Sequence, residues 1–182
     1  MENRESLVIP ARYNGPPGSA NGGYACGLVA ALLGGQAEVT LRSPPPLELE
    51  LAVERGEAGA RVRDGETLVA EAVRLADELE LEDVPPPVAV EEAERASRDY
   101  AGFREHAYAT CFVCGPERED GLGIYPGPVA GQEVVAAPWR PAPGRVADEL
   151  VWAALDCPSG WAIDEFARRG VLLGRLAARL LA

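Results

Sequence analysis

The sequence predicts an α+β fold in which a long central helix packs on an antiparallel β-sheet, with that unit duplicated in one chain. Three observations predict it. An apolar helical stretch, NGGYACGLVAALLGG at residues 21–35, is followed by segments that alternate apolar and polar residues with a period of two. The helix and the sheet so implied each have an apolar face, and the economical way to bury both is one against the other. Further along, ELVWAALDCPSGWAI at residues 149–163 repeats the VAAL core of the first helix as VWAAL, a weak internal similarity of the kind that duplication leaves.

Taken in order, a short apolar run at 7–10 leads into GPPGSANGG at 15–23, a loop in which Ser19 or Asn21 caps a helix running to about Leu33. Gly34 and Gly35 end that helix. A strand is expected at Ala37–Leu41. Leu47, Leu49, Leu51 and Val53 then alternate with Glu48, Glu50 and Glu54, which predicts a strand with one greasy face. Gly56 and Gly59 bracket a turn, Val62 sits in a short strand, and Asp64-Gly65 signals a hairpin before a strand over 68–75. Residues 76–89, acidic and then proline-rich, read as a connector, and 90–101 as a charged, exposed helix.

A second unit is expected from about Thr110. It holds the loop CFVCGPEREDGLG at 111–123, a hairpin through Ile124-Tyr125 and 134–139, and the second apolar helix. The last stretch, GVLLGRLAARLLA at 170–182, is helical by composition and a strand by its place after the helix of a repeated unit; we take it as a strand. The expected organisation is a first unit at 1–83, a connector with a short helix at 84–109, and a second unit at 110–182.

Composition excludes several classes of function. The 182 residues carry a net charge of −12, and all 17 basic residues are arginine. A nucleic-acid binder needs a basic face, which this balance argues against. No stretch approaches the roughly 20 apolar residues of a membrane helix, and MENRESLVIP lacks the apolar run of a signal peptide. The expectation is a cytoplasmic protein with neither nucleic acid nor membrane as partner. Four cysteines, at 26, 111, 114 and 157, are too few and too scattered for a disulfide framework.

GPPGSANGGY (15–24), CFVCGP…GLGI (111–124) and VWAALDCPSGWA (151–162), in that order around a β-meander, resemble the hotdog-fold superfamily, in particular its acyl-CoA thioesterase-like members. The resemblance implies a long helix wrapped by an antiparallel sheet, with two such units side by side; here both would lie in one chain, a double hotdog. In that family a full set of strands follows the second helix, whereas this sequence has at most one before Ala182. An unpaired apolar sheet edge is a liability, so association into a homo-oligomer, or disorder near the C-terminus, is expected.

The resemblance also implies thioester chemistry on an acyl-CoA or a carrier-bound acyl group: a short motif at a helix start polarises the thioester carbonyl, and a carboxylate on the facing helix supplies the base or nucleophile. Coenzyme A enters as part of the substrate, and no separate cofactor is expected. Unpaired amides at a helix N-terminus favour developing negative charge, and glycine leaves room for a carbonyl to approach. Asn21, Gly22 and Gly23 match the first role. The first helix has no acid, and the second has Asp156 but no glycine pair at its start, so one composite site per chain is expected, with Ser159 orienting water or the acyl group.

Plainer readings stand beside each of these. Gly22 and Gly23 also suit tight helix packing, Asp156 also suits bracing the helix broken at Pro158, and Ser159 also suits satisfying that broken backbone. Cys111-Phe-Val-Cys114 has the spacing of half a zinc site, but Cys26 and Cys157 lie in apolar helices and His106 is the only histidine, so no metal is expected; in the resembled family the loop is structural. His106 is read as incidental, and its distance along the chain from either helix disfavours a hydratase, which by resemblance needs an Asp/His pair. Arg42 is expected to pair with a carboxylate rather than a CoA phosphate. A non-catalytic acyl-CoA-binding or regulatory protein is the alternative function.

Overall fold

The computed structural model describes residues 5–34, 36–75, 79, 81, 83–141, 143, 146–163 and 169–180. Its centre is an antiparallel sheet of six strands in the order β1-β3-β4-β5-β2-β8. These are β1 (Ser6–Leu7), β2 (Ala37–Leu41), β3 (Leu51–Arg55), β4 (Gly59–Asp64), β5 (Thr67–Arg74) and β8 (Arg175–Ala178). A separate pair, β6 (Gly127–Pro128) and β7 (Val135–Ala136), lies outside it, and the helices are α1 (Gly22–Ala31), α2 (Val90–Arg98) and α3 (Asp148–Trp161). The architecture is α+β, as the periodicities require.

The expected meander forms with short turns. Asp64 faces Thr67 across a two-residue loop, and Gly65 takes φ +56°, where a side chain is disfavoured. One strand is shorter than its alternation suggests. β3 begins at Leu51, because Glu48 adopts φ 58° and Leu49 is exposed, so 47–50 leave the sheet plane before pairing starts. The hairpin expected around 124–139 contracts to the four residues of β6 and β7. The helix expected over 90–101 stops at Arg98, and its Ala93 and Ala96 are buried rather than exposed. Gly35 and part of the connector, at 76–78, 80 and 82, lie outside the described residues.

α1 lies on the sheet, and together they bury Cys26, Val29, Val39, Leu51, Val62 and Ala70. Its other face meets α3 at backbone distance. A Cβ built on Gly23 would lie 2.5 Å from the Trp152 carbonyl oxygen and 2.9 Å from Ala153 Cα; one on Gly27 would lie 2.6 Å from Glu149 Cα. Gly23 and Gly27, one turn apart on one helix face, are what allow the two helices to touch. Beside this contact a second core gathers Tyr24, Phe112, Val113, Ile124 and Ala153, so the 111–124 loop packs onto both helices.

The C-terminal stretch is a strand. β8 pairs antiparallel with β2, with Ala37 opposite Ala178 and Thr40 opposite Arg175. It thereby joins the sheet of the first expected unit and buries Ala178 in the core under α1. Pro158 does not end α3, which continues to Trp161. No helix among the described residues is long and apolar enough to cross a membrane.

Candidate functional site

Asn21 is the N-cap of α1. Its side-chain oxygen accepts from the Tyr24 amide at 2.9 Å, which settles the orientation of the carboxamide. The other end of the group, Nδ2, donates to Asp156 Oδ2 at 3.1 Å. The same oxygen accepts from the Gly23 amide at 2.9 Å. Two residues 135 and 133 positions before Asp156 in the chain thus hold one carboxylate oxygen at the positive end of a helix. Asp156 Oδ1 meets no donor among the described residues.

Burial pushes the Asp156 carboxyl up to about 6; the Gly23 amide pulls it down, the neighbouring Cys111 pushes it up, and Asn21 pulls it down again. Desolvation wins because two hydrogen bonds replace only part of a carboxylate's hydration. The group remains ionised at neutral pH, and it is a stronger base than an exposed aspartate.

A cavity of about 400 Å³ opens at this point, and Asn21, Gly22, Asp156, Leu41, Pro44 and Leu173 are among the residues of its predominantly apolar wall. Its size is that of a small-molecule site. Gly22 contributes bare backbone to the wall. A Cβ there would lie 2.8 Å from Leu173 Cβ, so the stretch before β8 passes directly over it. The amide of Gly22, the first of the helix, has no acceptor among the described residues. Gly23 therefore serves the packing its sequence context allowed, while its amide is engaged by the carboxylate rather than open to a carbonyl.

Asn21, Gly22, Gly23 and Asp156 come together as the composite arrangement requires. Ser159 does not join them. It is exposed, and its hydroxyl donates to the Asp156 carbonyl at 2.6 Å, back onto its own helix. Arg42 lies on the cavity wall, but its guanidinium is engaged by Glu71, with Nε at 2.8 Å from Oε1. His106 Nδ1 accepts from the Tyr108 amide at 2.9 Å, so Nε2 carries the proton and donates to the Cys114 carbonyl at 3.2 Å.

The sequence reading missed the grouping of the cysteines. Cys157 meets the CxxC loop, and the sulfurs of Cys111, Cys114 and Cys157 all lie within 4.8 Å of one another, while Cys26 stands apart on the sheet-facing side of α1. Hydrogen bonds from Cys114 and then Cys157 hold Cys111 well below the usual thiol range, and those bonds in turn push Cys114 and Cys157 up. The signal was adjacency: once Asp156 is placed against the start of α1, its neighbour on α3 must lie near the loop that packs there. No family model, curated protein or solved structure matches the chain.

Proposed function

We propose that the chain is a thioester hydrolase acting on an acyl-CoA or a carrier-bound acyl group, a double-hotdog protein with one composite site between its two central helices. The observation that carries this reading is the Asp156 carboxylate held 2.9 Å from the Gly23 amide in the wall of an apolar cavity. The order of the three motifs that resemble the acyl-CoA thioesterase-like proteins and the close α1–α3 contact support it.

In this reading the acyl chain occupies the apolar part of the cavity and the thioester carbonyl approaches the Gly22 amide. Asp156 Oδ1 accepts a proton from a water molecule as that water attacks the carbonyl carbon. The oxyanion that forms takes the Gly22 hydrogen bond. Collapse breaks the carbon–sulfur bond, and the proton on Asp156 passes to the leaving thiolate. Gly23 and Asn21 fix Oδ2, which leaves Oδ1 as the reactive oxygen. Cytoplasmic residence and assembly into a homo-oligomer through β8, the outermost strand of the sheet among the described residues, belong to the same proposal.

A panel of acyl-CoAs of increasing chain length, followed with a thiol reagent, tests it: release of free CoA that disappears in Asp156→Asn supports the enzyme. One observation favours a second reading. The Gly23 amide is already taken by Asp156, which leaves a single helix-terminal donor for an oxyanion, and a non-catalytic acyl-thioester binder needs no more than that. Thermal stabilisation by an acyl-CoA without turnover is the outcome that selects it.

A further inference from the structure

We propose that Cys111, Cys114 and Cys157 form a binding site for one thiophilic cation of the Zn²⁺ or Cu⁺ class, with a fourth position open to the cavity. The sulfurs of Cys111 and Cys157 are 3.8 Å apart, and all three lie within 4.8 Å of one another. A tetrahedral ion with metal–sulfur bonds near 2.3 Å requires sulfur–sulfur edges of about 3.8 Å. One edge already has that length, and the others need side-chain adjustments of no more than about 1 Å by the same geometry.

The three donors come from two separately anchored elements. Cys111 and Cys114 are set by a turn in which the Gly115 amide donates to the Cys111 carbonyl at 2.9 Å and the Phe112 amide to the Asn14 carbonyl at 2.8 Å. Cys157 is fixed by α3. All three are buried, yet all three line the cavity. A cation among them would be shielded on the protein side and reachable from the other.

Neighbouring groups suit three thiolates rather than four ligands. His106 Nε2 lies 3.5 Å from Cys114 Sγ, but it carries the proton, because Nδ1 is occupied by the Tyr108 amide. It is a donor toward the cluster, not a ligand. Asn21 Nδ2 points the same way, 3.7 Å from Cys157 Sγ and 4.0 Å from Cys111 Sγ. Such outer donors stabilise the negative charge that three thiolates keep around a divalent ion. The net charge of −12 adds a field that attracts cations.

The test uses the reduced full-length chain and Co²⁺ as a spectroscopic stand-in for Zn²⁺. A thiolate-to-Co²⁺ charge-transfer band with tetrahedral d–d absorption is expected, saturating at about one equivalent per chain, as binding by a single preformed set requires. Zn²⁺ should bleach that band by displacement. Cys157→Ser should abolish it and Cys26→Ser should leave it unchanged. Because Cys157→Ser sits in the core, X-ray absorption at the zinc edge of the Zn²⁺-loaded parent gives a count that needs no variant: three sulfur neighbours support the site, and two or fewer overturn it. No band in the parent, equal bands in the parent and Cys157→Ser, or a Cys111–Cys157 disulfide whose reduction brings no metal uptake would each overturn it too.

Discussion

Replacing Gly23 by alanine should damage stability and function together, by amounts the helix contact sets. The new Cβ would lie 2.5 Å from the Trp152 carbonyl oxygen, 2.7 Å from Asp156 Cβ and 2.9 Å from Ala153 Cα. Carbon contacts relax to about 3.5–4.0 Å, and two of these three atoms are backbone, so α1 and α3 must part by about 1 Å. Overpacking of this kind costs about 1–3 kcal/mol, offset by less than about 1 kcal/mol of helix propensity gained at a first-turn position. For a chain of this length, a net loss of about 1–2 kcal/mol lowers the melting temperature by roughly 2–8 °C. A 1 Å separation also stretches the 2.9 Å bond from Gly23 to Asp156 beyond hydrogen-bond range. Misplacement on that scale costs about 100-fold in turnover. Thermal unfolding and acyl-CoA hydrolysis measured on the same preparation check both. Gly56→Ala is the control, since a Cβ there meets only the Gly59 carbonyl oxygen at an ordinary 3.7 Å and lies outside the cavity wall. An unchanged melting temperature for Gly23→Ala would refute the helix contact; a lower one with full turnover would refute the role of Asp156.

Four further outcomes follow from the same geometry. On the proposed hydrolysis, Asp156→Asn should lose about 100-fold or more of the turnover, as removal of a general base does, while melting at a higher temperature at neutral pH. Burial raises the folded-state pKa from 3.8 to about 6, so stability falls as pH rises between those values and the full cost is present at neutral pH; a neutral isostere relieves it while its oxygen still accepts from Gly23. Asn21→Ala removes the cap on Tyr24 and should cost about 1 kcal/mol in chemical denaturation, together with turnover, because Asp156 loses one of its two anchors. Ser159→Ala should keep the parent's rate within about twofold, in line with an exposed hydroxyl away from such features. Ala178→Asp buries an unpaired charge where β8 meets the core, so hydrogen exchange of the β2 amides at 37–41 should rise sharply.

The fold was readable where local chemistry and global packing agree. Asn21 is a good cap wherever it stands, and Asp64-Gly65 turns the chain with little outside help. The reading failed where a local pattern was overruled from a distance. The alternation at 47–50 promised sheet, but the Ser19–Pro46 bridge and the Glu48–Ile9 backbone bond draw that stretch towards the loop before α1. The C-terminal stretch, by contrast, has the composition of a helix, yet its place in the order reads as a strand, and a strand paired with β2 is what forms. At the site, the meeting of Asn21, Gly23 and Asp156 was legible because a helix start without an acid and a helix with an acid but no glycines are complementary halves. The cysteine grouping was harder to read, since it needs both the register of α1 against α3, set at Gly23 and Gly27, and the packing of the 111–124 loop on the two helices.

That dependence ties the site to the packing of the whole chain. The carboxylate comes from α3 and both of its donors from α1, so neither element holds a competent group by itself. A desolvated carboxylate is tolerated only while its hydrogen bonds persist, so parting the helices removes the anchor that holds Asp156 Oδ2. The consequence is cooperative. Loss of function on heating or in denaturant should coincide with separation of α1 from α3, ahead of loss of the sheet. Trp152, buried against Gly23 and Gly27 and in the core between α1 and the sheet, reports the loss of that packing. With Trp139 and Trp161 replaced by phenylalanine, its fluorescence and the hydrolysis rate should fall along one denaturant curve. Activity that outlasts the Trp152 transition would mean that the reacting group lies elsewhere.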